Sequence, residues 1–463
     1  KTTPMTCLNH ASLAASLAAL TVAADAAAAS KPKSPAGKRP AVIVIMTDQQ
    51  TAGAISCAGN PWVRTPAMDA LAADGVRFTR AYCPYPLSGP CRAALVTGRM
   101  PFEVGAFDNA IRPADADMQA GIGHRLAEAG YECLYAGKWH VPEVNLPDSG
   151  TGFRRISKMN DAALREYDGS KPLFLVASLL NPHEICEYGR HETLQYGELA
   201  PFSTEECPNL PANFMPSTYA AEALTLEHAS SPRYHDTYTY TQDDWRRYLY
   251  AYYRLVERAD REVGRIVGVL KAHGLYDDAA IVFLSDHGDG AAAHGWNQKW
   301  NLQEEVINVP LIVKPPKGAG LRGVRNDEAL SNVGLDLYAT VCDYAGVTPD
   351  LERYRGRSLR PVAEGRQATL HDEVFVETLL PGPDMRGWSV VGPRYKYVLY
   401  QWGRNREALY DLQDDPGEMV NLAVDRRYEA ELNRLRRAMY DWGVRIGDPK
   451  LVRNLRPFAE TRN

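Results

Sequence analysis

Five short stretches of this chain carry side chains that can bind ions, hold anions or move protons. Asp48-Gln49, Lys138-Trp139-His140, His183-Glu184 and Asp286-His287 each begin where an apolar run stops. The fifth is Ser88-Gly89-Pro90-Cys91-Arg92. Carboxylate and amide oxygens suit a hard divalent cation such as Ca²⁺ or Mg²⁺, and one imidazole adds a nitrogen donor that Zn²⁺ or Mn²⁺ also accepts. Lysines are compact positive charges fitted to the oxygens of an anion. Histidine moves protons near neutral pH. Each group also has an ordinary use: Asp48 as a strand-end cap, Asp286-His287 as a hydrogen-bonded turn, His183 as a satisfied loop histidine, a lysine as a solvated surface charge. Their shared position carries the functional signal.

That position follows from the elements around them. Residues 41–46 are a continuous apolar, β-branched run, the pattern of a parallel strand buried on both faces. Residues 76–82, 132–136, 173–180, 279–285 and 309–313 read as further strands. Thr65, Pro66 and Gly75 bracket a helix, residues 91–97 form a short one closed by Gly98, and another ends at Gly130. Trp245, Leu249, Tyr252, Val256, Val263, Val267 and Leu270 recur at helical spacing and predict a long amphipathic helix running to Gly274. The alternation argues for an α/β fold, with a large, mixed, mostly parallel sheet flanked by helices. Such sheets bind ligands beyond the carboxyl ends of their strands, where the four polar clusters begin. Past residue 365 the texture changes to four short strands, at 374–377, 388–391, 396–400 and 408–412, and a helix at 428–442. This predicts a main domain over 40–365 and a small antiparallel α+β subdomain over 366–463. Residues 203–231 read as a long surface insertion that, with residues 386–388, helps choose a substrate.

Composition bounds the rest. The 463 residues suffice for one large α/β domain with a satellite. Hydrophobic residues at 45% and charged residues at 24% exclude a disordered chain. The net charge of -5 argues against a nucleic-acid scaffold, so an anionic substrate must meet a local cluster of positive charge. Eight cysteines are too few for a disulfide scaffold of this length. Lys1, the Ala- and Leu-rich residues 11–24 and the small residues after them predict a signal peptide over 1–30, with a linker over 31–39. Cys7 precedes the apolar run, so it does not sit where a lipoprotein cysteine would. No stretch approaches the roughly 20 apolar residues of a membrane span. The expected location is periplasmic or secreted, reached through the export machinery.

Ser88, Pro90 and Arg92, followed by Leu95, Thr97, Gly98 and Arg99, resemble the signature of the type I sulfatases of the alkaline phosphatase superfamily. In that family the first position, Cys or Ser, is oxidised to formylglycine; here it is Ser88. The fourth position, usually Ser or Ala, is Cys91. Cys91 and Cys83 do not fit the modified position, because Ala93 and Tyr85 stand where Pro is needed. The resemblance implies Asp48, Gln49, Asp286 and His287, with Ser88, as ligands of Ca²⁺ or alternatively Mg²⁺. Lys299, thirteen residues after Asp286 and five before Glu304, resembles the family's active-site lysine. Residues 395–397, 409–412 and 415–422 resemble its C-terminal subdomain, so the likeness spans roughly residues 40–445.

The resemblance further implies a mechanism. Hydrated formylglycine at 88 would attack sulfur in line, His183 would protonate the departing sugar oxygen, and His140 would take the proton that lets sulfate leave. Lys138 and Lys299 would stabilise the sulfuryl charge, and Arg92 would orient the ligands. The substrate would be a sulfated saccharide of the mucin O-glycan or glycosaminoglycan type. A serine site implies maturation by a radical, oxygen-independent sulfatase-maturating enzyme. A phosphatase or phosphonate monoester hydrolase of the same superfamily, or a catalytically silent glycan-binding relative, are the rivals. No zinc-protease helix forms at His183-Glu184, since position 187 is Glu, and no Gly-x-Ser-x-Gly elbow occurs. His294 lies close in sequence and has no assigned role. Replacing Ser88 by Ala is expected to abolish sulfate release and leave the fold intact, measured by released sulfate and circular dichroism; full activity in that variant would remove Ser88 from the reaction.

Overall fold

The computed structural model describes residues 39–460, apart from residue 112 and residues 142–149, 157–163, 165–166, 231–236 and 350–352. The signal peptide and most of the linker expected over 1–39 lie outside the described residues. Among the described residues no helix is long and apolar enough to cross a membrane.

The central sheet has eight strands. From one edge they are β5 (Arg154–Ile156), β4 (Glu132–Gly137), β6 (Leu173–Pro182), β1 (Val42–Asp48), β7 (Ala280–Ser285), β8 (Leu311–Lys314), β2 (Val76–Phe78) and β9 (Val324–Asn326). β8 runs antiparallel to both of its neighbours and the other pairings are parallel. β1 shows why the run had to be apolar throughout. Val42, Val44 and Met46 join one core, and Ile43 and Ile45 join the core on the opposite face. The second face is covered by the helix Gln242–Ala272, through Ala259, Val263, Ile266 and Leu270, and by the helix Pro66–Ala73. The first is covered by the helices Ser88–Thr97, Ile122–Glu128 and Val333–Ala345. Thr241 starts the long helix: it exchanges hydrogen bonds with Asp244 in a capping box.

The sequence pattern needs four corrections. Residues 76–82 are not one strand: the chain leaves the main sheet after Phe78, and β3 (Ala81–Tyr82) pairs instead with β10 (Ser331–Asn332) in a separate two-stranded sheet. The helix expected from residue 91 begins at Ser88 itself. The helix Val333–Ala345 was not foreseen, because it is buried nearly all round and its apolar run has no polar face. Residues 203–231 are not simply a surface insertion. Thr218 NH donates to Met419 O and the helix Glu222–Ser230 buries Ala223 and Glu227, so the segment is strapped to the C-terminal region.

That region is a four-stranded antiparallel meander: β11 (Val374–Leu380), β12 (Met385–Val391), β13 (Tyr395–Tyr400) and β14 (Glu407–Asp411). One face joins the main core through Val374, Val376, Val391 and Val398. The other packs Trp388, Val390, Tyr397 and Leu399 against Leu432, Leu435, Met439 and Trp442 of the helix Glu429–Ile446. A further helix, Pro449–Glu460, closes that core with Leu451 and Leu455. A buried ion pair ties the meander to the loop after β7. Lys396 Nζ on β13 lies 2.5 Å from Glu418 and 3.0 Å from Glu304, and donates to Leu302 O at 2.9 Å. Replacing Lys396 by Met strands those carboxylates in a buried setting, and is expected to cost about 3–5 kcal/mol of unfolding free energy in denaturant titration. A cost near zero would show that the tie contributes nothing.

Candidate active site

Four adjacent strands, β4, β6, β1 and β7, deliver their following residues to one place. β1 ends at Asp48, and the chain turns at Gln49 in the left-handed region, φ 71°. Both backbone groups of Gln49 are held: its NH donates to Asp286 Oδ1 at 3.1 Å, and its carbonyl accepts from Tyr252 OH at 2.8 Å. β7 ends at Ser285 and passes to Asp286 and His287. β4 ends at Gly137, where a Cβ would lie 1.9 Å from Ser178 O, so glycine is required for β4 to lie this close to β6. Lys138 follows immediately.

The signature helix supplies the centre. Ser88, at its first turn, has Oγ 3.0 Å from His287 Nε2 and 3.3 Å from Asp48 Oδ1. One turn on, the buried Arg92 spends its donors on the site: Nη2 to Asp48 at 2.8 Å, Nε to Asp286 at 2.9 Å, and Nη1 to Lys138 O and Ser178 Oγ. Lys138 Nζ lies 2.6 Å from Asp48 Oδ2. Burial alone would raise Asp48, but Lys138, His183 and Arg92 hold its carboxyl well below the usual range. Lys299 Nζ, on the loop after β7, donates to Gln49 Oε1 at 2.7 Å.

The two remaining histidines stand at the rim of this cluster. His183 Nδ1 lies 3.9 Å from Glu187, and its imidazole is driven well below its ordinary value by burial and by Lys299 and Lys138. His140 takes a left-handed backbone, φ 45°, and its Nδ1 has no hydrogen-bond partner. Burial and the Lys138 charge push it down to about 4. Neither histidine bonds to the central carboxylates. Glu184 is committed elsewhere, to Arg258 and Asn181.

The donor set fits a divalent cation. Asp48, Asp286 and His287 are buried and each offers a ligand atom, all within 4.8 Å of one another. His287 Nδ1 faces Gly288 O at 2.9 Å, and a carbonyl only accepts, so Nε2 presents its lone pair to the site. Ser88 Oγ adds an oxygen beside Asp48 and His287, and the Gln49 backbone NH bonds Asp286. Asp48, Gln49, Ser88, Arg92, Lys138, Asp286, His287 and Lys299 therefore form one contact network.

Several functional neighbours were not legible in the sequence. Asp289 accepts from Gln49 Nε2 at 2.8 Å and from Tyr248 OH, and Cys186 Sγ lies 3.3 Å from Gln49 Oε1. Asp289 and Cys186 carry no spacing signal beyond their nearness to Asp286 and His183. Residues 386–388, expected to help choose a substrate, are buried. Arg386 is buried against Glu377 and Asp448 and over the Trp388 ring, so the pair belongs to the C-terminal core. His294 lies with Glu305 and Glu418 beside the Lys396 tie, apart from the central network. Among the described residues all seven cysteines are free thiols.

Comparisons with known proteins agree with this geometry. A family model described as Sulfatase matches residues 40–162 and 157–347, and one described as N-sulphoglucosamine sulphohydrolase, C-terminal, matches residues 292–444. The chain is 28% identical to a Delta 4,5-hexuronate-2-O-sulfatase of Bacteroides thetaiotaomicron, covering 92% of this chain and 93% of that one. It is 26% identical to an N-acetylglucosamine-6-O-sulfatase of the same organism, over 92% and 89%. A solved 2-O GAG sulfatase superposes with a TM-score of 0.78 at 27% identity, covering 89% and 93%.

The buried histidines make stability pH-dependent. Burial and Lys396 push His294 down to about 4, whereas an imidazole in the unfolded chain takes its proton near 6.5. Between those values the unfolded state binds more protons, so stability falls as pH drops from about 6.5 towards 4. His294→Asn is expected to flatten that acid-side fall by about one proton's worth of slope, read from urea unfolding between about pH 7 and pH 5. An unchanged slope would show that His294 is not buried in its neutral form.

Proposed function

The chain belongs to the sulfatase family and is a sulfuric ester hydrolase, and on that premise we propose that it removes sulfate from a sulfated saccharide through a formylglycine made from Ser88. One observation carries this reading: the buried Ser88 Oγ sits between His287 and Asp48, with the ammonium groups of Lys138 and Lys299 bonded to the adjoining ligand side chains. When present, a divalent cation, Ca²⁺ or alternatively Mg²⁺, supplies charge that polarises the sulfuryl oxygens, and formylglycine supplies the oxygen nucleophile.

The chain's own residues do the rest. Arg92 holds Asp48 and Asp286 side by side. Lys138 and Lys299 turn from Asp48 and Gln49 towards the anionic ester. His183, with Nδ1 facing Glu187, delivers a proton from Nε2 to the departing sugar oxygen. Burial, and after it Lys299 and Lys138, depress His183, and an anion that engages those lysines offsets their share, so protonation of the acid is coupled to substrate binding. His140 stays neutral near pH 7 and is suited to accept a proton.

The relatives' substrates support a glycosaminoglycan or mucin-type saccharide. Maturation by a radical sulfatase-maturating enzyme, and export to the periplasm or exterior, belong to the same proposal. The test is a panel of singly sulfated mono- and disaccharides, read by sulfate release from protein co-expressed with such a maturase. Release is expected with calcium present and lost after chelation, and the peptide containing residue 88 should be lighter by two hydrogens. Faster turnover of an aryl phosphate than of any sulfate ester would instead favour the phosphatase reading. Saccharide binding without sulfate release would favour the silent relative.

A further inference from the structure

We propose that Asp289 is a positioning residue that fixes which end of the Gln49 amide faces the cation site; the inference rests on Gln49 being a ligand there. A primary amide has an acceptor at one end and a donor at the other, nearly equal in shape, so its neighbours decide its orientation. Gln49 has a charged neighbour at each end. Lys299 Nζ, which can only donate, lies 2.7 Å from Oε1, and Cys186 Sγ lies 3.3 Å from the same atom. Asp289 Oδ2 lies 2.8 Å from Nε2. A flipped amide would set NH₂ against an ammonium and oxygen against a carboxylate.

The two neighbours are not equivalent. Lys299 must turn towards an anionic substrate, and it then releases the amide. Asp289 stays. It is buried, and donors converge on both of its oxygens: Ala291 NH at 2.8 Å on Oδ1, Gln298 NH at 3.0 Å on Oδ2, and Tyr248 OH on both. Tyr248 in turn sits in the packed first half of the helix Gln242–Ala272. The backbone of Gln49 is pinned at both its NH and its carbonyl, so the amide is the free part of the residue and Asp289 is what orients it. Asp289 lies three residues past Asp286, outside the cluster of Asp48, Asp286 and His287, and acts through Gln49.

The experiment is calcium titration by calorimetry on the chelator-stripped full chain, with thermal unfolding measured alongside. In Asp289→Asn one of the two acceptor oxygens becomes an NH₂ although backbone NH groups donate to both ends, so the side chain no longer holds Gln49 Nε2 as a carboxylate does and the Gln49 amide loses its fixed orientation; calcium affinity is expected to fall by about 10–100-fold. In Gln49→Glu alone, a carboxylate faces Asp289 and affinity and thermal stability both fall. The double variant Gln49→Glu with Asp289→Asn restores an acceptor facing the cation and a donor–acceptor pair behind it. It keeps the net charge of the original pair but moves the carboxylate onto the ligand position, so its recovery is read against Gln49→Glu alone, which carries the same ligand carboxylate. Both single changes weakening calcium binding and the pair restoring most of it would establish the role. Unaltered binding in Asp289→Asn, or a double variant as weak as the single ones, would overturn it. If Asp289→Asn alone does not fold, the double variant decides: it folds and binds calcium, or the proposal falls. Failure of the cation reading shows elsewhere, in the unaltered chain, which would then take up no calcium.

Discussion

Two carboxylates cannot be held side by side in a protein interior without a counter-charge, and the buried guanidinium of Arg92 is what makes this site possible. Two unit charges about 4 Å apart repel by roughly 4 kcal/mol at an effective dielectric constant of about 20. Arg92 answers Asp48 with one nitrogen and Asp286 with another. Its third nitrogen bonds Lys138 O and Ser178 Oγ, which ties the residue after β4 to the middle of β6 as well. A lysine could neutralise the same charge but has no planar fork with which to reach two carboxylates and two further acceptors at once. One turn of helix separates Arg92 from Ser88, so the residue that assembles the ligands and the residue proposed to react are set by the same element.

The sheet explains why these groups meet. Parallel neighbours end on the same side, so residues far apart in the chain converge wherever adjacent strands stop. Two departures from regular geometry here have a local cause: Gln49 in the left-handed region, pinned by Asp286 and Tyr252, and Gly137 where no side chain fits against Ser178. The C-terminal meander contributes at a distance. Lys396 holds Glu304 and Glu418, and Thr378 Oγ1 donates to Trp300 O at 2.5 Å, so the loop that carries Lys299 is anchored from behind.

The positive groups pair with the proposed ligands themselves. Lys138 rests on Asp48 and Lys299 on Gln49. In the proposed reaction, substrate and cation replace these contacts. The net charge of -5 is likewise no obstacle to the proposed anionic substrate, because buried cationic side chains are gathered at this one place.

The sequence by itself determined the fold class, the strands that end at the site, and the residue types gathered there, because apolar period and strand-end position are local properties. The Ser88 to Arg99 motif carried the family for the same reason: its spacing lies within one turn-and-helix unit. What needed the tertiary structure was every relation across the chain. The 40 residues between Asp48 and Ser88 hide a hydrogen bond, and the 240 between Gln49 and Asp289 hide the one that orients an amide. Arg386 and Trp388 looked polar and available in sequence, yet Glu377, Asp448 and a second core bury them. Residues 203–231 looked like free loop, because what straps them down, Met419 and Arg404, lies about two hundred residues away. Burial and pairing are decided by which segments pack together, and a pattern read within one segment does not contain that information.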